Sequence, residues 1–133
     1  MKTLTYVDIN NLKVGDVVGY CTYPSLGWGK LFRYPIVHKK IIERITPKRT
    51  KFVLDGNVKL DIWKAKMLAV YDDEAKRQSA IAESYADLKD IQWKIEKASK
   101  NNHDIIGSKI TDEELMEYYN YLKNIASKYL NED

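Results

Sequence analysis

Cys21, His38 and His103 are the side chains whose types suit nucleophilic, acid–base or metal chemistry. Cys21 stands near Tyr20, Tyr23 and Trp28, but no neighbouring residue is spaced to turn a base toward its thiol. A lone cysteine in a β-prone run reads as a small apolar core residue. His38 lies in a basic run, where an imidazole can meet phosphate or simply occupy a sheet surface. His103 sits between Asn101-Asn102 and Asp104, which suits a cap or a loop bond. One cysteine and two distant histidines are not a zinc-ligand set. The acidic runs Asp72-Asp73-Glu74 and Asp112-Glu113-Glu114 fall where helices are expected to start, so capping accounts for them without a divalent ion. No glycine-rich loop ends in Lys-Ser/Thr, no dinucleotide fingerprint follows a strand, and Gly27-Trp28-Gly29-Lys30 is too short to cradle a phosphate. The expectation is a protein without catalytic residues, metal or cofactor.

Charge points elsewhere. The formal net charge is +3, but residues 30–66 alone sum to +8, against zero for residues 1–29 and −5 for residues 67–133. A basic block of this density attracts phosphates or an acidic protein surface. Two plainer readings stand beside it: lysine protects edge strands from pairing with other chains, and the acidic helices can neutralise the block internally. The expected partner-binding residues are Lys30, Arg33, His38, Lys39, Lys40, Arg44, Lys48, Arg49 and Lys51, with Trp28 or Tyr23 offering a ring to an unpaired base. The chain has ten Tyr against two Phe and three Trp, aromatic mass that suits core boundaries and binding surfaces alike.

These residues need a scaffold. Leu12-Lys13-Val14-Gly15-Asp16-Val17-Val18 reads as a turn delivering a first strand, which Tyr20 and Tyr23 continue. Pro24 to Gly29 interrupts it and puts Trp28 on a loop. Ile36 to Ile45 reads as a long strand, and its doubled Ile41-Ile42 predicts a bulge or bend. Thr46 to Arg49 turns the chain. Asp55-Gly56-Asn57 then joins Lys51–Leu54 to Val58–Ile62 in the clearest hairpin of the sequence. A last strand is expected over 67–71. Few crossovers imply a mainly antiparallel sheet.

With its Leu12–Val18 entry, Gly/aromatic loop, Val37–Ile45 strand and Asp55-Gly56 turn, the front half resembles the small SH3-like barrels found among phage-encoded and chromosomal accessory proteins. The resemblance covers about half the chain and implies nucleic-acid binding in some families and protein binding in others.

Beyond residue 72, Ile81, Ser84, Tyr85, Leu88, Ile91, Gln92, Ile95 and Ala98 recur at helical spacing, with Ala75, Ala82, Ala86 and Trp93 on a second line. That pattern predicts a helix covered on two sides. Asn101 to Asp104 and Gly107-Ser108 interrupt it. Thr111 and Glu114 form a capping-box signature, followed by the stripe Leu115, Tyr118, Tyr119, Leu122, Ile125, Ala126 and Tyr129.

The expected architecture is therefore α+β: one domain over 1–133, with a small antiparallel β-barrel or curled sheet over 1–71 and an antiparallel two-helix hairpin over 72–133. The leading functional expectation is a non-enzymatic protein binding DNA or RNA through the basic β-rich half. One alternative is a phage-type accessory or inhibitor protein that binds an acidic surface of a host protein. Another is a structural homo-oligomer joined through Trp93, Tyr119 and Tyr121. The single cysteine suits a reducing cytoplasm, that of the host if phage-encoded. Residues 1–8 lack the pattern of a signal peptide, and no run approaches the roughly 20 apolar residues that cross a bilayer, so no membrane association is expected.

Overall fold

The computed structural model describes residues 3–99 and 104–130. Residues 1–89 form one compact unit and residues 90–133 a second. In the first unit a 3₁₀ turn at Ile9–Asn11 precedes β1 (Val17–Thr22), β2 (Ser25–Gly27), β3 (Lys30–Leu31), β4 (Ile36–Ile45), β5 (Lys51–Leu54) and β6 (Val58–Asp61). Two helices follow, α1 (Ile62–Ala65) and the longer α2 (Asp73–Ser99), whose later residues belong to the second unit. The main sheet is antiparallel and curled, in the order β1-β4-β5-β6, while β2 and β3 form a small separate ribbon. The expected α+β class holds.

Alternation places the core. Val18, Ile42, Phe52, Leu54 and Leu60 point to one side of the sheet and are buried with Leu12, Ala65 and Leu68. The bulge expected near Ile41-Ile42 falls one residue later. Ile42 faces Leu54 and Arg44 faces Val53, so Glu43 is the extra residue. It lets Ile42 and Ile45 both face inward although they lie three apart.

Two expected strand segments are corrected. Ile62 does not extend β6, because Asp61 Oδ1 accepts the Lys64 N–H at 2.9 Å and caps α1. The segment 67–71 contributes only isolated bridges at Ala69, which pairs with Gly19 on one side and Tyr6 on the other. The chain leaving β6 thereby returns to the free edge of β1 and draws the N-terminal segment in beside it. Val7 N–H donates to Leu68 O at 2.9 Å, and Val70 N–H donates to Thr5 O at 2.7 Å.

The first half of β4 extends past the end of β5. Its exposed edge is satisfied by side chains: Ile41 N–H donates to Asp55 Oδ1 at 2.7 Å and Val37 N–H to Ser79 Oγ at 2.9 Å. Ser79 belongs to α2, which is capped by Asp72 accepting the Ala75 N–H. The buried face of α2 is Ala75, Gln78, Ser79 and Ala82. Of the second line Ala75 and Ala82 are buried and Trp93 is exposed, while of the first line Ile81 and Tyr85 are half-buried and Ser84, Leu88 and Ile91 are exposed.

In the second unit, Asp104 caps a short helix α3 (Ile105–Lys109), and Thr111 caps α4 (Asp112–Tyr129). Gly107 and Ser108, expected to break the helix, instead lie inside α3. The expected capping box is present, with Glu114 N–H donating to Thr111 Oγ1 at 3.2 Å and Thr111 N–H to Glu114 Oε1 at 3.1 Å. His103 lies outside the described residues.

Candidate nucleic-acid interface

The basic residues are divided by strand register into several groups. Directly opposed residues share a face, so Arg44, Val53 and Lys59 form one row across β4, β5 and β6, on the side turned away from the core. Lys51 continues this face opposite Asp61, and Lys39 lies on it opposite Gly19. Lys39, Arg44, Lys51 and Lys59 thus share the outer face of the sheet with exposed Ile41. Lys48 stands exposed in the turn beside them.

Three expected contacts belong elsewhere. Lys40 pairs opposite Val18 on the core side, and its Nζ reaches Asp55 O at 3.4 Å. His38 lies opposite Tyr20, with Nε2 2.9 Å from Thr22 Oγ1 and its ring 6.2 Å from that of Tyr20. Arg49 is half-buried: its Nη2 donates to Ile9 O at 2.6 Å and to Leu12 O at 2.9 Å. It tethers the N-terminal 3₁₀ turn, so its charge is committed inside the fold. The reason is the positive φ of Arg49 (55°), which ends the β4–β5 turn with the side chain directed toward residues 9–12.

Trp28 and Lys30 lie on the β2–β3 ribbon. Gly27, Trp28 and Gly29 all adopt positive φ (95°, 55° and 75°), and the indole is fully exposed at the turn. Two flanking glycines make this succession of left-handed residues affordable. The ribbon separates Trp28 from the lysines of the sheet face by sequence and by pairing.

Aromatic side chains converge at another place. Tyr6, Tyr20, Cys21, Tyr23, Lys64 and Met67 line a cleft of about 260 Å³, and Thr3, Leu4, Tyr6, Tyr23, Arg33, Tyr34 and Gln78 line a second of about 820 Å³. Tyr6 and Tyr23 belong to both, so the clefts adjoin. The fold positions each wall: Tyr6 by the bridge to Ala69, Tyr20 by β1, and Lys64 by the capped α1. Arg33 and Tyr34 are set by Phe32, which is buried and stacks on Tyr85 of α2 with centroids 4.5 Å apart and planes within 3°. The Arg33 guanidinium carbon lies 4.7 Å from the Phe32 ring centre and 5.2 Å from that of Tyr34, which holds its fork beside the larger cleft. The Arg77 guanidinium carbon lies 5.6 Å from the Tyr34 ring centre, and Arg77 makes a bidentate pair with Glu74 at 2.9 and 3.1 Å.

Two acidic side chains of the cleft keep their protons. Burial raises the Tyr23 pKa, and the neighbouring Tyr6 raises it further. Burial likewise raises that of Cys21, partly offset by a hydrogen bond from the Ala69 backbone. The phenol is therefore a hydrogen-bond donor at neutral pH, and the thiol keeps its proton.

No family model, characterised protein or solved structure matches this chain. The functional reading therefore rests on the geometry. Of the expected residues, Tyr23 and Arg33 meet in the cleft. Tyr6, Tyr20, Tyr34 and Lys64 were not singled out in the sequence, where the tyrosine excess was the one signal pointing toward them. Trp63, exposed on α1 with Lys66 Nζ 4.7 Å from its ring centre, also escaped notice. Among the described residues no helix is long and apolar enough to cross a membrane.

Proposed function

We propose that the protein binds single-stranded nucleic acid, without catalysing a reaction, through the tyrosine-lined clefts of residues 1–89. The observation that carries this reading is the convergence of Tyr6, Tyr20, Tyr23 and Tyr34 between two cations, Arg33 and Lys64. Rings accept unpaired bases by stacking, tyrosine hydroxyls offer hydrogen bonds to base edges, and the flanking cations neutralise phosphates. Lys39, Arg44, Lys51 and Lys59 add a positive field on the outer sheet face that draws a polyanion toward this unit. The likeness to SH3-like barrels is part of the proposal, supported by the curled strand order and the return of Ala69 to β1.

Fluorescence anisotropy with labelled single- and double-stranded oligonucleotides, at two salt concentrations, tests the proposal. Salt-sensitive binding that prefers the single strand is expected. Absence of binding near physiological ionic strength would overturn it.

A further inference from the structure

Residues 90–133 present a helix surface that this unit does not cover. Neither α3 nor α4 contains a buried residue. On α4, Leu115, Tyr118, Leu122, Ile125 and Tyr129 are all exposed, and they recur at alternating spacings of three and four. That alternation follows a seam of two heptads, the pattern by which one helix packs along another. The unit's own cleft, of about 870 Å³, takes its α4 wall from Glu114, Glu117, Tyr118 and Tyr121. Tyr118 borders both that wall and the stripe, while Leu115, Leu122, Ile125 and Tyr129 are outside the wall.

The charge along α4 selects an occupant. Its first half carries Asp112, Glu113, Glu114 and Glu117 and no base, whereas residues 118–130 carry Lys123 and Lys128 and no acid. A second copy laid parallel would set like charges side by side. Laid antiparallel, each acidic half faces a basic half. With Leu122 at the crossing, Glu117 of one copy falls opposite residues 127–128 of the other. At about 100° per residue Glu117 and Lys128 flank the apolar stripe on the same side, as an antiparallel pair requires.

We propose that the protein forms a homodimer in which two α4 helices pair antiparallel across the Leu115–Tyr129 stripe, a self-complementary twofold interface. Tyr119 and Tyr121 border this seam, one on each flank. Trp93, on α2, takes no part in it. The dimer is independent of the nucleic-acid reading.

Sedimentation velocity of the full chain across the micromolar range, without nucleic acid, tests the proposal. The wild type is expected to sediment as a dimer, and Leu122→Lys as a monomer with its helical circular dichroism retained; Leu122→Ala, which is gentler on the helix, weakens the dimer several-fold. Glu117→Lys and Lys128→Glu each raise the dissociation constant several-fold, and the double exchange restores it. A wild type that stays monomeric overturns the dimer. A dimer unaffected by either Leu122 substitution overturns its location, and a double exchange that fails to restore association overturns the antiparallel pairing.

Discussion

Replacing Arg49 with alanine removes the tether between the β4–β5 turn and the N-terminal 3₁₀ turn. The two hydrogen bonds removed, at 2.6 and 2.9 Å, run from one charged nitrogen to the carbonyls of Ile9 and Leu12. A bond from a charged donor contributes roughly 1.5–3 kcal/mol, but two bonds sharing one nitrogen at a half-buried site are not additive, so the pair is taken as about 2 kcal/mol. The guanidinium also lies 5.8 Å from the centre of the Phe52 ring, which adds roughly 0.5 kcal/mol. The expected loss is thus about 2–3 kcal/mol. Arg49 has φ 55°, and alanine keeps the strain of a Cβ in that conformation. Glycine relieves roughly 1 kcal/mol of it, partly offset by greater freedom in the unfolded chain, so Arg49→Gly is expected to be at least as stable as Arg49→Ala. Urea unfolding reads both. With a slope of roughly 2 kcal/mol per molar urea, the Arg49→Ala midpoint falls by about 1 M. Lys48→Ala, at an exposed neighbour, stays within about 0.5 kcal/mol of wild type. An unchanged Arg49→Ala midpoint together with weakened oligonucleotide binding would refute this reasoning and return Arg49 to the phosphate-binding role expected from the sequence.

Gly19→Ala places a Cβ against Val37 Cγ1, with Ala69 O at 3.4 Å, where a stiff β-branched side chain cannot turn aside. A loss of about 1–3 kcal/mol in urea unfolding is expected, with partial recovery when Val37→Ala is added. Burial raises the Cys21 pKa, so the native protein reacts with a maleimide more slowly at pH 8 than the urea-unfolded chain; equal rates would contradict the burial of the thiol. Hydrogen bonds from the Thr111 backbone and hydroxyl lower the Glu114 pKa from its ordinary 4.5. The folded carboxylate holds its proton less tightly than the unfolded one, so its stabilisation of α4 is complete above pH 4.5 and fades as pH falls through the lowered value. Circular dichroism is expected to show wild-type helicity falling below pH 4.5 more steeply than in Glu114→Gln, which keeps a neutral acceptor.

Features whose causes lie within a few residues were legible in the sequence. Asp55-Gly56-Asn57 supplies the two positive-φ residues of its hairpin at Gly56 and Asn57, and Thr111 with Glu114 builds its own capping box. The doubled isoleucine revealed a bulge but not its position, which depends on where β5 meets β4. Pairings between distant segments were hidden. Arg49 looked like one more cation because its partners lie about forty residues away. The buried face of α2 was legible in part: Ala75 and Ala82 stood out as a second line, whereas Gln78 and the hydrogen-bonding Ser79 fit no hydrophobic stripe. The candidate cleft was the least legible feature. Tyr6, Tyr23, Arg33 and Lys64 share no motif, and they meet only because Ala69 bridges the N-terminal segment and β1 while Phe32 stacks on Tyr85.

At the centre of this account, tyrosines of the cleft receive bases while cations of the same unit neutralise phosphates. Salt-dependent anisotropy titrations of one single-stranded oligonucleotide, comparing wild type with Tyr6→Leu/Tyr23→Leu and with Arg33→Gln/Lys64→Gln, test it most directly. The tyrosine pair is expected to cost roughly 1–3 kcal/mol per stacked base, about fivefold to 150-fold in affinity, at an unchanged salt slope. The charge variant is expected to flatten the slope by roughly 0.7 for each phosphate that is no longer neutralised. Wild-type affinity in the tyrosine variant, with binding abolished only through the slope, would contradict the cleft as the base-binding site.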